Sequence, residues 1–103
     1  MPPVRREVVF SAAAQRDLEG IFDFIAADDI AAAEKELLKI IETCLSLDRF
    51  AERGQLRSDL APGLRQIVVG SYVAFYRRQG PMIQVIRVLH GRRNAARIFR
   101  RGH

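Results

Sequence analysis

Residues 85–93, VIRVLHGRR, combine a run of β-branched residues with side chains that could do chemistry. Arg87 interrupts a segment that otherwise has the composition of a buried strand, and His90, Arg92 and Arg93 follow at its end. A guanidinium group can hold a carboxylate or phosphate through two parallel hydrogen bonds, and a histidine can transfer a proton near neutral pH. The segment therefore indicates an anion-binding site or an acid–base centre, and a solvated strand end is the alternative.

Arginines also interrupt the two strand-like runs that precede this segment. Because the side chains of a strand alternate between two faces, each predicted strand places an arginine on a mostly apolar face. We expect Arg65, Arg77 and Arg87 to converge on the exposed side of the sheet, although a single such arginine more often lies with its stem over apolar neighbours. The candidate residues for binding a partner or an anion are Arg57, Arg65, Tyr76, Arg77, Arg87, His90, Arg92 and Arg93.

Other kinds of catalytic or metal site find no support in the sequence. No cluster of histidine, cysteine and carboxylate side chains has metal-ligand spacing, and there is neither a phosphate-binding glycine loop nor a nucleophile elbow. The single cysteine, Cys44, lies among apolar residues at helical spacing, which is typical of a small buried side chain. His90 could act as a general acid or base, or it could bond to a backbone carbonyl at the strand end and fix the turn at Gly91. We expect no metal and no cofactor.

Charge is divided unequally between the two halves of the chain. Residues 1–52 carry 6 basic and 11 acidic side chains, a net charge of −5. Residues 53–103 carry 11 basic side chains, all arginine, and 1 acidic side chain, Asp59, a net charge of +10. This uneven distribution predicts a strong positive electrostatic field around the second half of the chain. The expected partner is therefore anionic, either a nucleic acid or an acidic protein segment.

The length and composition indicate one small domain. The chain has 103 residues, of which 49% are hydrophobic, enough for a single core. No run of about 18 apolar residues is present, so we expect no membrane span. Residues 1–10 lack the apolar core of a secretory signal, and one cysteine cannot form an internal disulfide. We expect a cytoplasmic protein.

The hydrophobic pattern predicts a β-α-α-β-β-β order in the α+β class. Apolar residues at helical spacing predict helices over residues 12–27, after an N-cap at Ser11, and over 30–47. Strands are predicted over residues 5–10, 64–69, 72–78 and 82–90, with a loop over 48–63. An antiparallel meander with the helical hairpin on one face would bury both apolar surfaces and leave the other face open. A short basic helix or tail follows, in which Ile98 and Phe99 could fold back onto the body.

Several stretches resemble the ParE branch of the RelE/ParE toxin superfamily. GLRQIVVGSYVAFYRR and VIRVLHGRRN resemble the C-terminal half of these proteins, and RDLEGIFDFIA resembles their first helix. The likeness covers about nine tenths of the chain, and residues 62–65 and 87–92 are its most specific parts. It implies a toxin of a type II toxin–antitoxin pair. The implied partner is a cognate antitoxin whose acidic C-terminal arm folds onto the toxin, giving a hetero-oligomeric complex.

The superfamily resemblance implies one of two targets. RelE-like members cut mRNA in the ribosome, whereas ParE-like members inhibit DNA gyrase without a nuclease centre. In the nuclease alternative the catalytic residues would be His90, Arg65 and Arg87, but cleavage needs both a base and an acid. No lysine follows residue 39 and no tyrosine follows residue 76, so the second proton-transfer group is unassigned. We therefore predict a gyrase inhibitor, with the mRNA endonuclease and a non-toxic antitoxin-binding scaffold as alternatives.

Overall fold

Five strands and three α-helices form the body of residues 6–100, the part of the chain that the structure, a computed structural model, describes. Two short 3₁₀ turns, Ser46–Asp48 and Ala51–Arg53, connect the second helix to the second strand. The elements are β1 (Glu7–Phe10), α1 (Ala12–Ala26), α2 (Ile30–Leu45), β2 (Gln55–Leu56), β3 (Arg65–Val69), β4 (Tyr72–Gln79), β5 (Met82–His90) and α3 (Ala95–Arg100). Residue 5, the predicted start of the first strand, lies outside the described residues.

The strands form one mixed sheet in the order β1-β5-β4-β3-β2. The predicted meander of β3, β4 and β5 is confirmed, since both neighbouring pairs are antiparallel. β1 joins the sheet parallel to β5, and the two-residue strand β2 lies on the far edge, inside the stretch predicted as a loop. Strand periodicity is local, so it carries no information on which remote segments pair or in which direction.

Two glycine turns set the register of the meander. Gly70 and Gly80 have positive φ angles of 61° and 60°, a backbone conformation that only glycine adopts without strain. The first hairpin pairs Val69 with Tyr72. The second pairs Gln79 with Met82, so its loop has two residues and not the predicted three.

The helical hairpin packs on one side of the sheet, here called the helix face. Ser11 caps α1 by accepting a hydrogen bond from the amide of Ala14 at 3.0 Å, and Asp29 caps α2 through the amide of Ala32 at 3.1 Å. α2 ends at Leu45 and continues as a 3₁₀ turn, two residues before the predicted end. No helix within residues 6–100 is long and apolar enough to cross a bilayer.

Cys44 lies at the centre of the core between the hairpin and the sheet, as predicted. Its side chain has no solvent exposure, and this burial raises the pKa of the thiol to about 11. Because the thiolate is the reactive form, we expect no labelling of Cys44 by a soluble disulfide reagent at neutral pH while the protein is folded. Labelling should become complete in denaturant, and rapid reaction under native conditions would contradict the packing described here.

α3 covers part of the sheet surface opposite the helix face. Ile98 and Phe99 pack on a cluster formed by Leu64, Phe75 and Leu89, and the rings of Phe75 and Phe99 meet edge to face with centroids 5.2 Å apart. The prediction that the C-terminal segment folds back is thus confirmed. The prediction of a fully open second face is wrong, because the same contacts cover its middle.

A β-bulge in β5 changes which side chains share a face. Tyr76 pairs with Val85 and Phe75 pairs with Arg87, so the intervening Ile86 has no partner in β4. Val85 and Val88 are both buried on the helix face as a result, although they are three residues apart. The strict period of two placed Arg87 on the same face as Val85, and that prediction is wrong because the extra residue shifts the alternation.

Candidate partner-binding surface

Arg87, the arginine inside the last strand, is bound within the fold by Asp17 of α1. Its Nε donates to Oδ2 of Asp17 at 2.7 Å and its Nη2 donates to Oδ1 at 2.9 Å. These hydrogen bonds raise the pKa of the guanidinium above its ordinary value. The side chains of Arg87 and Asp17 keep only 24% and 14% of their exposure. Arg87, a candidate anion-binding residue, is therefore already compensated within the fold, because α1 brings a carboxylate to it from 70 residues away in the sequence.

Asp17 and Ser11 also complete the hydrogen bonding of β5 where β1 ends. The amide of Ser11 donates to the carbonyl of Val85 at 2.9 Å, and its hydroxyl donates to the carbonyl of Ile86 at 2.7 Å. The amide of Val88 donates to Oδ2 of Asp17 at 2.9 Å. The start of α1 thus replaces the missing strand partner and satisfies backbone groups on that edge.

The position of Asp17 differs from the sequence-based expectation. The apolar stripe of α1 predicts that Asp17 faces away from the core, but the residue points to β5. The available signal was its spacing: Asp17 lies three residues after buried Ala14 and four before half-buried Ile21, so all three share one side of the helix.

Tyr76 and Arg65 hold the chain between α2 and β3 against the sheet. The Tyr76 hydroxyl donates to the carbonyl of Ala51 and accepts from the amide of Gly54, each at 2.8 Å. Nη1 of Arg65 donates to the carbonyls of Gly54 and Glu52 at 2.8 and 3.3 Å. Tyr76 is 1% exposed, and burial raises the pKa of its hydroxyl. Tyr76 is therefore a buried residue whose hydroxyl is bonded within the fold, and the structure gives its predicted contact with a partner no support.

Arg57 is neutralised by an acid two residues away. Its Nε and Nη2 donate to the two carboxylate oxygens of Asp59 at 2.9 Å each, and its Nη1 donates to Oε1 of Gln66 at 2.7 Å. This pair lies at the surface, where the Asp59 side chain is 63% exposed. A partner that binds Arg57 would have to replace an existing carboxylate.

The predicted convergence of three arginines is only partly correct. Arg65 lies in register with Tyr76 and shares the helix face with it, at the end of the sheet. Arg77 and Arg87 lie toward the other side, where they line a depression of about 240 Å³ with Ile98 and Phe99. Arg65 lines a different depression of about 290 Å³, which Arg77 and Arg78 also border. Arg77 therefore lies between the other two arginines, and no single depression brings all three guanidinium groups together.

His90 fixes the turn that follows β5. Its Nδ1 accepts a hydrogen bond from the amide of Arg92 at 3.1 Å. Its ring meets Tyr72 edge to face, with centroids 5.4 Å apart. His90 therefore fixes the turn, as the alternative prediction states. The hydrogen bond is made with a backbone amide, whereas the prediction named a backbone carbonyl.

The residues of the nuclease alternative are dispersed over the molecule. His90 and Arg65 pair with Tyr72 and Tyr76 from opposite sides of β4. They are offset by four residue positions along this strand, about 13 Å at the usual strand rise, in addition to the width of β4 between them. Arg87 is bound to Asp17 on a different face from Arg65. These three side chains do not surround a common position for a scissile phosphate.

A cleft of about 390 Å³ separates α1 from the end of β5. Arg16, His90 and Arg93 place positive or titratable groups along it, and Phe24, which is 77% exposed, forms an apolar wall. Gly20 lines the cleft as well, and a Cβ added there would meet no atom within 4 Å. Sequence reasoning missed Arg16 and Phe24, because both lie in the acidic half of the chain and off the predicted apolar stripe.

Six arginines of the second half form no side-chain hydrogen bond or ion pair with any residue of the described part of the chain. Two of them, Arg77 and Arg78, lie in the last three residues of β4, and the others lie in α3 or just before it. Within residues 6–100, no group of histidine, cysteine and carboxylate side chains is arranged to hold a metal ion. The six are Arg77, Arg78, Arg92, Arg93, Arg97 and Arg100.

Sequence comparison relates the chain to toxins of the ParE type. A family model described as the ParE toxin of the type II toxin–antitoxin system parDE matches residues 8–95. Toxin ParE3 of Caulobacter vibrioides is 35% identical over 81 residues, which make up 78% of this chain and 81% of that protein.

Solved structures place the fold in the same group. A chain of the chromosomal ParDE toxin–antitoxin system of P. aeruginosa matches with a TM-score of 0.72 and 25% identity, covering 84% of this chain and 96% of that one. A chain of the RelBE2 toxin–antitoxin complex of Mycobacterium tuberculosis matches with a TM-score of 0.62 and 27% identity, covering 84% and 92%. The sheet and its helical hairpin therefore define a toxin of the RelE/ParE superfamily. Within it, the chain belongs to the ParE toxin family of type II toxin–antitoxin systems.

Proposed function

We propose that this toxin inhibits DNA gyrase in the cytoplasm without cleaving nucleic acid, and that a cognate antitoxin neutralises it by direct binding. The observation that carries the proposal is the dispersal of His90, Arg65 and Arg87 over separate parts of the sheet. General acid–base cleavage requires groups within hydrogen-bond reach of one substrate. A toxin without such a centre acts by binding its target, and the ParE family membership supports gyrase as that target.

The proposed antitoxin contact is the cleft between α1 and β5. An acidic amphipathic arm needs apolar anchors beside cationic groups. Phe24 supplies an exposed aromatic ring, while Arg16 and Arg93 supply positive charge on either side. Further exposed apolar residues, Ile30 and Leu38, lie on α2, where a longer arm could continue along the hairpin.

A gyrase assay with purified toxin tests the proposed target. We expect micromolar toxin to block supercoiling of relaxed plasmid or to trap cleaved DNA, and an excess of antitoxin to restore supercoiling. A matched assay with a DNA-relaxing type I topoisomerase serves as the control and should be unaffected. Normal supercoiling at saturating toxin would refute gyrase inhibition.

The second candidate function is a ribosome-dependent mRNA endonuclease. It is favoured by one observation, that His90 and Arg93 line the same cleft and could approach a phosphate together. We expect messages to stay intact in a translation extract supplied with the toxin. Cleavage by the wild type that is lost in His90→Ala would identify a nuclease instead. Overexpression without growth arrest would support a scaffold that only binds antitoxin.

A further inference from the structure

The segment around α3 presents a cationic surface on a rigid support. We define the α3 surface as Arg92, Arg93, Arg97 and Arg100, all of which are exposed. Arg93 and Arg97 line one depression of about 340 Å³ together with Asn94 and Ile98. The packing of Phe99 on Phe75 fixes the helix on the sheet, so the guanidinium groups project from an ordered element.

No acid of the described chain compensates this surface. Residues 60–100 contain no aspartate or glutamate. The acid closest in the sequence, Asp59, is already bound to Arg57, and Asp17 of α1 is bound to Arg87. The cationic charge is therefore available to a ligand and is not part of an internal ion-pair network.

The α3 surface lacks the apolar groups that an amphipathic protein arm requires. All the exposed large hydrophobic side chains of the described residues lie before residue 69. Ile98 and Phe99 are turned onto the sheet and are half-buried. Charge without apolar anchors suits a phosphate backbone, whose binding is dominated by cation contacts.

The aromatic groups distinguish between forms of nucleic acid. Single strands are usually held by bases stacked on exposed aromatic rings. Here the ring of Phe99 packs on Phe75, and that of His90 packs on Tyr72. The exposed ring of Phe24 shares the neighbouring cleft with Arg93 but belongs to α1, outside the α3 surface. The α3 surface itself thus offers contacts to a backbone and no exposed ring for stacking, which favours a double helix.

We propose that the α3 surface binds the phosphate backbone of duplex DNA without sequence preference. This goes beyond gyrase inhibition, since it assigns the toxin itself a contact with DNA. The contact is separate from most of the cleft proposed for the antitoxin arm, with Arg93 at their common border. Bound at this surface, DNA would lie against arginines that carry bidentate phosphate contacts.

The salt dependence of DNA binding tests this proposal. The full-length toxin is titrated onto a short labelled duplex at several salt concentrations, followed by fluorescence anisotropy. We expect Arg97→Gln/Arg100→Gln to weaken binding about tenfold at low salt. The slope of log K against log salt should become shallower by about 1.8, since each neutralised phosphate contributes about 0.9 to the slope. Thermal melting of the variant confirms that it is folded.

The matched control is Arg77→Gln/Arg78→Gln, which removes the same charge at the end of β4. This control variant should keep the wild-type slope of log K against log salt. An equal loss of DNA affinity in both double variants would show that only net charge matters, and would overturn the proposal. Equal binding of single-stranded DNA, or displacement of the duplex by polyglutamate of equal charge, would overturn it as well. Because gyrase is absent, failure here leaves gyrase inhibition untouched, and DNA binding without inhibition of supercoiling would refute only the proposed target.

Discussion

Replacing Asp17 with alanine is expected to lower the free energy of unfolding by about 2–4 kcal/mol. The change removes three hydrogen bonds at once, two from the Arg87 guanidinium and one from the Val88 amide. It leaves a cation that is 24% exposed without its counter-charge and a backbone amide on a strand edge without a partner. Partial exposure of Arg87 allows water to recover some of this loss, which keeps the effect below that of a fully buried pair.

Urea unfolding followed by circular dichroism measures the effect, with Glu19→Ala on the exposed side of α1 as the matched control. The control should change the free energy of unfolding by less than about 0.5 kcal/mol. A double-mutant cycle with Arg87→Gln then isolates the contribution of the pair. A loss in Asp17→Ala no greater than in the control would show that the carboxylate contributes nothing to the fold.

The same ion pair alters how an Arg87 variant should be interpreted. Loss of toxicity or antitoxin binding in Arg87→Ala would follow from a destabilised junction between α1 and β5, without any direct contact to a partner. Melting temperature and binding should therefore be measured on the same sample. An Arg87→Ala protein that melts like the wild type but binds antitoxin weakly would show that Arg87 contacts the antitoxin directly.

Replacing Gly54 with alanine is expected to destabilise the protein by about 2–4 kcal/mol. A Cβ at this position would lie 2.5 Å from the Tyr76 hydroxyl and 2.6 Å from the carbonyl oxygen of Gln66. Neither neighbour can move without loss, because the hydroxyl is bonded to Ala51 and Gly54 and the carbonyl belongs to β3. The strain is steric, since Gly54 has an extended backbone that any residue adopts.

Gly20→Ala serves as a control in which alanine is expected to raise the stability of the protein and not to lower it. The position is inside α1 and has open space around it, so alanine should stabilise the helix by about 0.5–1 kcal/mol. Thermal melting of both variants gives the comparison, and Tyr76→Phe, which removes only the hydroxyl, should cost about 1–3 kcal/mol. A Gly54→Ala protein as stable as the wild type would show that the chain between α2 and β3 is not held as described.

The sequence predicts elements whose cause is local. Ser11 precedes an apolar stripe and caps the helix, and glycine at residues 70 and 80 marks tight turns because few other residues adopt positive φ. The parallel pairing of β1 with β5 was not predictable, since it depends on where the whole hairpin returns the chain. The bulge at Ile86 was not predictable either, since Val85, Ile86 and Val88 are all β-branched apolar residues and their types do not show which of them faces the core.

The candidate partner-binding surface also combines features that the sequence predicts with features that depend on remote segments. The Arg57–Asp59 pair is two residues apart and could have been predicted, whereas the partner of Arg87 comes from another element. Charge counting identified the cationic half correctly, but counting cannot show which guanidinium groups are already satisfied. Within residues 6–100, Arg92, Arg93, Arg97 and Arg100 form no ion pair, because no acid follows residue 59 in the sequence and no element of the first half brings a carboxylate to them as α1 does to Arg87.

The position of β5 in the sheet also has a consequence for synthesis of the toxin. This strand lies between β1 and β4 and is hydrogen-bonded to Ser11 and Asp17, although Ile86 follows Ser11 by 75 residues in the sequence. A nascent chain that stops before residue 82 lacks the element that joins its first strand to the rest, and long-range pairing of this kind waits until β5 has been synthesised. We therefore expect fragments that end before β5 to remain unfolded and to be degraded quickly.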